Sequence, residues 1–223
     1  MKLIDLTHEI YNKMPVYPGS PELNIEESST VKNNSSNQLL LHILTHHGTH
    51  LDAPHHIIEN GKTIDNFPIN NINSKCIIIK INNKNPDDKI YGADLTKYSE
   101  TLKNYESIIF NTGWSDKRGK DNNLYANHWI GLSKDASLFL SNFKFKIIGI
   151  DGLSIAPPPT NASKFEIINV HKNILKNNTF IIEELNLSDN MFYDSSTISG
   201  TLTVMPLKIR AGDGSPVRVL FTY

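Results

Sequence analysis

The sequence predicts a single α+β domain spanning residues 1–223, and three observations lead to it. First, a chain of 223 residues is long enough to bury a continuous core without metal or disulfide staples. Second, short β-branched runs alternate with weaker helical patterns, and there is neither an internal repeat nor a long Pro/Gly/Ser linker. Third, hydrophobic residues make up 39% and charged residues 20%, which is too apolar for a disordered chain.

The expected strands are Lys2–Leu6, Leu39–Thr45, Cys76–Ile81, Ser107–Asn111, Lys146–Asp151, Thr179–Leu185, Thr201–Ile209 and Val217–Thr222. They are the short β-branched runs that alternate with the helical patterns. Helices are expected at Ala93–Leu102, at Lys134–Ser141 with Ser133 as N-cap, and around Val170–Lys176. The Asn- and Lys-rich stretches Asn70–Asn73, Asn82–Asp88 and Asp121–Asn127 read as solvated turns. Pro157-Pro158-Pro159 cannot continue a strand, so a stiff extended loop is expected there, placed to wall a pocket.

Composition excludes several roles. Lys+Arg 22 against Asp+Glu 23 gives a net charge of -1, with no field to attract phosphate backbones or anionic lipid, so nucleic acid is not an expected partner. An RNA-binding barrel also fails for want of a basic aromatic face. Asp5, His8 and Glu9 interrupt the apolar N-terminus, and no later run is long enough to span a membrane; a cytoplasmic location is expected. Cys76, followed by Ile77, Ile78 and Ile79, reads as a small buried strand residue.

The chemistry is concentrated in His46-His47-Gly48-Thr49-His50-Leu51-Asp52-Ala53-Pro54-His55-His56, which holds five of the nine histidines. His46, His50, Asp52 and His56 offer imidazoles and a carboxylate, a donor set that suits zinc, manganese or a similar divalent ion. In a straight strand residues 46 and 50 would stand roughly 13 Å apart at ~3.3 Å per residue, too far to share one ion. The chain must therefore turn, and Gly48 permits it while Pro54 stiffens the exit. The run Leu39–Thr45 would deliver His46 to the end of a sheet. His47 and His55, off the favoured positions, read as outer or surface residues.

This segment resembles the signature of the cyclase family, His-x-Gly-Thr-His-x-Asp-x-Pro-x-His, with a match at His46, Gly48, Thr49, His50, Asp52, Pro54 and His56. The likeness extends over Ile4–His8, Met14–Gly19, Thr112–Trp114, Gly149–Asp151, Val170-His171, Ile182–Leu185 and Leu207–Ile209, essentially the whole chain. The family includes bacterial kynurenine formamidases and isatin hydrolases. The resemblance implies a mixed β-sheet or partial barrel flanked by helices, with a pure β-barrel as the alternative. It implies one metal on His46, His50 and Asp52 and a second on Asp52, His171 and Glu183, the metal being zinc with manganese as the alternative, and His56 as the catalytic proton shuttle. Glu184 is the rival of Glu183, because successive strand residues face opposite sides.

The function implied is hydrolysis of small amides, of arylformamidase type, in which N-formylkynurenine and water give kynurenine and formate. An isatin-type lactam or small-ester hydrolase and a catalytically silent metal-binding homologue are the alternatives. The resemblance also implies a homodimer, with residues near Met14–Gly19 entering the neighbour's site. Kynurenine formamidases often carry Trp where this chain has Tyr17, an acid where it has Ser20, and Asp where it has Ala156. These departures spare the metal ligands and bear on the substrate, with Tyr17 expected to stack against an aryl ring.

Overall fold

The computed structural model describes residues 1–187 and 195–223. In chain order its strands are β1 Leu3–Asp5, β2 Asn24–Ser29, β3 Gln38–His42, β4 His50–Asp52, β5 Asn73–Lys80, β6 Lys89–Ile90, β7 Ser107–Asn111, β8 Gly131–Leu132, β9 Ile147–Ile150, β10 Phe180–Glu183, β11 Thr197–Pro206 and β12 Gly214–Thr222. The helices are α1 Val31–Asn34, α2 Gly92–Leu95, α3 Ser99–Leu102, α4 Asn122–Asn127, α5 Lys134–Leu140 and α6 Lys164–Leu175.

The main sheet runs β1-β12-β11-β5-β7-β9-β10-β4, and β4 pairs back onto β12. That last pairing closes seven strands into a barrel, with β1 added outside the ring. The pairs β5–β7, β7–β9 and β9–β10 are parallel and the others antiparallel. The expected mixed sheet flanked by helices is present, and it is closed into a barrel.

Side chains alternate across this wall with the period of two that a strand dictates. Leu51, Cys76, Ile78, Ile109, Ile147, Phe180, Ile182, Leu202, Val204, Val219 and Phe221 come from all seven strands and form one core, the barrel interior. Their neighbours Ile77, Ile79, Ile108, Phe110, Ile148, Ile150 and Ile181 face outward and pack with Ala136 and Leu140 of α5 and Val170, Ile174 and Leu175 of α6. Cys76 is fully buried, as its apolar neighbours suggest.

Several expectations need correction. The run Leu39–Thr45 does not deliver His46 from the main sheet: among the described residues β3 pairs with β2 alone, in a separate hairpin whose β3 residues are all exposed. The barrel strand beside the histidines is β4, which is three residues long and offers too short a pattern to read. Ala93–Leu102 is not one helix but α2 and α3 joined by a turn at Thr96–Tyr98. Asp121–Asn127 is not a turn: Asp121 accepts a hydrogen bond from the Leu124 N–H and caps α4. Around Val170–Lys176 the helix begins earlier, at Lys164, where Ser163 caps the Glu166 N–H. Among the described residues no helix is long and apolar enough to cross a membrane.

Candidate active site and metal centre

Barrel alternation and register assemble the site. Leu51 points into the barrel, so His50 and Asp52 on either side of it point outward, toward α6. In β10, Ile182 likewise points inward and Glu183 outward, and Glu183 is paired directly with His50 across the antiparallel ladder. Residues so paired lie on the same face, close enough to share a ligand. His171, buried on α6, reaches the same place, with Nε2 3.2 Å from Glu183 Oε1.

The turn ahead of β4 brings in His46. Gly48 adopts φ +66°, the left-handed conformation that its lack of a Cβ allows. The His46 ring lies edge-on to that of His50, with centroids 5.1 Å apart, and 4.1 Å from that of His56. Its Nδ1 donates to Asp52 Oδ1 and its Nε2 to Asp213 Oδ2, both at 2.8 Å. His47 is buried and accepts a hydrogen bond from the Leu44 N–H, so it fastens the turn rather than a ligand. His55 is partly buried and lies outside the cavity lining.

Two overlapping sets of donor atoms result: His46, Asp52 and His56, and His50, Asp52 and Glu183. Asp52 belongs to both, as a carboxylate with two oxygens can. The grouping differs from the expected one, since His50 sits with Glu183 and His56 stands beside His46, while His171 contacts Glu183 from the far side.

The residues present fit a divalent ion. His50 Nδ1 donates to the Gly48 carbonyl at 2.8 Å, and His171 Nδ1 donates to the Ile167 carbonyl at 2.8 Å. Each ring thereby commits a proton, and its Nε2 presents a lone pair to carboxylate oxygens. His50 Nε2 lies 3.3 Å from Asp52 Oδ1 and 3.4 Å from Glu183 Oε2, yet among the described residues it makes no hydrogen bond, and the buried Asp52 Oδ2 has no partner there either. Lone pairs facing anionic oxygens in a buried site call for a proton or a metal ion between them, and against the pull of burial the facing carboxylates hold the His50 and His171 imidazoles above their ordinary pKa.

Titration follows the same logic. Burial opposes a charge on His46, but Asp52 and Asp213 outweigh it and hold the imidazole up at about 9. Burial and the neighbouring Asp52 resist ionisation of Glu183, yet the His171 and His50 imidazoles beside it bring it down to about 2. Asp213 is held far below the usual carboxylate range, chiefly by its hydrogen bonds with His46 and His56.

Two members of the site were missed in the sequence. Asp213 accepts hydrogen bonds from His46 Nε2, from Thr45 Oγ1 at 3.0 Å and, at 3.4 Å, from His56 Nδ1. The available signal was an Asp set between Gly212 and Gly214 just ahead of a strand. Ser154 donates to Glu183 Oε1 at 3.1 Å and lies 3.3 Å from His171 Nε2. A lone serine in a loop carried no signal.

A cavity of about 300 Å³ opens onto the cluster. Tyr17, Leu44, Ile57, Leu153, Ile167 and Ile168 supply its apolar wall, and Ser20, Ser154, His46, His50, His56, His171 and Glu183 supply its polar atoms. Tyr17 packs at 5.6 Å against Trp129 and lines the cavity of its own chain. Burial first, and then the Glu183 charge, push the Tyr17 hydroxyl above its ordinary pKa, so it stays neutral. Pro157, Pro158 and Pro159 do not line this cavity, contrary to expectation; Leu153 and Ser154 ahead of them do, while Pro157 packs on Gly131. A larger cleft, about 680 Å³, is lined by Asp5, Glu9, Asp116, Arg118, Lys120 and Arg218 among others, and contains none of the clustered ligands.

Known proteins resemble the chain over its full length. It is 27% identical to the kynurenine formamidase of Bacillus thuringiensis subsp. konkukian, over 97% of this chain and 95% of that protein. A solved structure described as a "predicted metal-dependent hydrolase" from Bacillus stearothermophilus superposes with a TM-score of 0.76 at 27% identity, covering 99% of this chain and 97% of that one. Isatin hydrolase A from Labrenzia aggregata, at 24% identity, shares the fold with a TM-score of 0.83 over 99% of this chain and 93% of its own. The family model described as "Putative cyclase" matches residues 4–157, which include the whole histidine-rich turn and the Asp151 loop, and the chain belongs to the cyclase family.

Proposed function

We propose that the chain is a metal-dependent hydrolase of small amides, of arylformamidase type, converting N-formylkynurenine and water to kynurenine and formate. The observation that carries this reading is an apolar, Tyr17-walled cavity lying directly on two overlapping sets of imidazole and carboxylate donors. Similarity to a Bacillus kynurenine formamidase supports the choice of bond.

His46, His50, Asp52, His171 and Glu183 would hold up to two divalent ions, zinc or manganese, with Asp52 shared. Such an ion polarises a carbonyl and lowers the pKa of water from ~15.7 toward ~7. The protein supplies the rest. Tyr17 and the aliphatic wall hold an aryl ring and exclude water around the scissile C–N bond. His56, whose Nδ1–H points at Asp213, keeps Nε2 available to carry a proton to the leaving nitrogen. Ser154 and the Ile155 N–H hold Glu183 Oε1 in its orientation.

A second reading is a lactam or small-ester hydrolase of isatin type. Among the described residues that line the cavity there is no Lys or Arg to receive an amino-acid carboxylate, which favours an uncharged substrate. A silent metal-binding homologue is the reading to exclude. The exposed leucines Leu39, Leu40 and Leu41 on β3 support assembly as a homodimer.

The test is a side-by-side assay of N-formylkynurenine, isatin and simple aryl esters with zinc- and manganese-loaded protein. N-formylkynurenine should be turned over fastest. Hydrolysis of isatin or an ester alone would replace the formamidase reading by the second one, and metal binding with no hydrolysis would overturn both.

A further inference from the structure

The geometry points to Arg118 as a positioning residue that holds the metal-ligand pair Glu183 and His50 from behind, through the buried carboxylate of Glu184. This inference rests on the metal-dependent reading above.

Glu183 ends β10 facing the ligand cluster, and the next residue, Glu184, has φ +53°, a left-handed conformation that residues with a Cβ rarely adopt. An outlier beside a ligand must be held by its surroundings. Two backbone contacts hold the Glu184 peptide: its N–H donates to the Gly152 carbonyl at 2.9 Å, and its carbonyl accepts the Thr49 hydroxyl at 2.6 Å. Thr49 directly precedes His50, and its Oγ1 also accepts the His8 N–H. One residue thus joins the strand that carries Glu183 to the turn that carries His50.

The Glu184 side chain is anchored on the side away from the ligands. Its Oε2 accepts the Tyr125 hydroxyl at 3.3 Å and lies 3.8 Å from Arg118 Nε, and both members of the ion pair are almost fully buried. Among the described residues Arg118 Nε has no hydrogen-bond partner, so this ion pair is its one polar contact there. The rest of the guanidinium ties down the N-terminal segment: Nη1 donates to the Glu9 carbonyl at 3.0 Å and Nη2 to Met14 Sδ at 3.4 Å. Met14 is buried three residues before Tyr17 of the cavity wall. One buried cation therefore braces both the ligand strand and the segment that forms the aryl wall. Removing it leaves Glu184 as an uncompensated buried charge, which relaxes by moving its peptide or by taking up a proton.

The experiment measures zinc affinity, urea-denaturation midpoint and kcat for the wild type, R118A, R118K, E184Q and the R118A/E184Q double variant. Positioning predicts that zinc Kd rises roughly 10- to 100-fold in R118A, the loss typical of residues that support metal ligands. R118K should recover part of it. The double variant should bind zinc no more weakly than the worse single one, because both changes break the same contact. A folded R118A with a lowered midpoint but wild-type zinc Kd and kcat would overturn the inference, and so would losses in the double variant that simply multiply. If R118A does not fold, R118K and E184Q decide by the same criterion. A wild type that takes up no zinc would instead sink the metal-dependent reading, and this inference with it.

Discussion

At the residue scale the two histidines that contact Asp213 have different surroundings. His46 is clamped between Asp52 and Asp213, whereas His56 touches Asp213 through one nitrogen and lines the cavity with its ring. We expect His56→Ala to lower turnover by roughly 10² to 10⁴, the range for loss of a general acid-base group, with metal content near wild type. His46→Ala should lose metal. Elemental analysis of both variants checks this, and equal metal loss would make His56 a ligand. Asp213→Asn keeps the shape but removes the negative charge facing both rings; a fall in kcat/KM of roughly 10- to 100-fold is expected, as for other residues that orient metal-site histidines. The sequence revealed His46, His50, Asp52 and His56 because one turn gathers them within eleven residues. It hid Asp213, which meets His56 across a separation of 157 residues that only barrel closure brings to zero.

At the scale of turns and strands, two glycines show how differently the backbone serves the site. A Cβ on Gly48 would meet only Ile10 and Met14, at 3.6 and 3.7 Å, so Gly48→Ala suffers conformational strain without collision. The cost should be about 1 to 2 kcal/mol of stability, read as a lower urea midpoint, with metal still bound. A Cβ on Gly214 would lie 2.7 Å from His46 Cε1 and 3.0 Å from the Leu51 carbonyl. Gly214→Ala must therefore displace the His46 ring, and zinc affinity should fall even at temperatures where the variant is fully folded. Equal zinc affinity in the two variants would contradict this division. The same scale explains what could be read in advance. Ser107–Asn111 was legible as a strand because its apolar residues form one continuous run, and the choice between Glu183 and Glu184 reduced to the alternation of faces. Strand β4 was not legible: its three residues are His, Leu and Asp, and it is a strand because β10 and β12 pair with it on both sides.

For the whole molecule, the proposed metal centre would couple folding to pH, in a direction set by its imidazoles and carboxylates. In chelated protein His46 is held at about 9, above its ordinary 6.5, because Asp52 and Asp213 outweigh burial. A group raised in the folded state contributes stability that is fully present below about 6.5 and is lost as pH rises through about 9. Glu183, lowered to about 2 from 4.5, contributes stability above about 4.5 that is lost only in strong acid. Between pH 6.5 and 9 the His46 contribution therefore falls with rising pH in metal-free protein. A bound ion reverses the dependence. Ligand imidazoles must give up protons to take it, so zinc binding at pH 7 should release protons and tighten as pH rises toward 9. The zinc-induced rise in Tm, which tracks affinity by mass action, should accordingly be larger at pH 8.5 than at pH 6.5. Calorimetric titration with zinc in two buffers of different ionisation enthalpy measures the proton release directly. If the apparent binding enthalpy is the same in both buffers and the Tm shift does not change between the two pH values, the clamped imidazolium of His46 is not what zinc displaces, and the ligand set built on it is wrong.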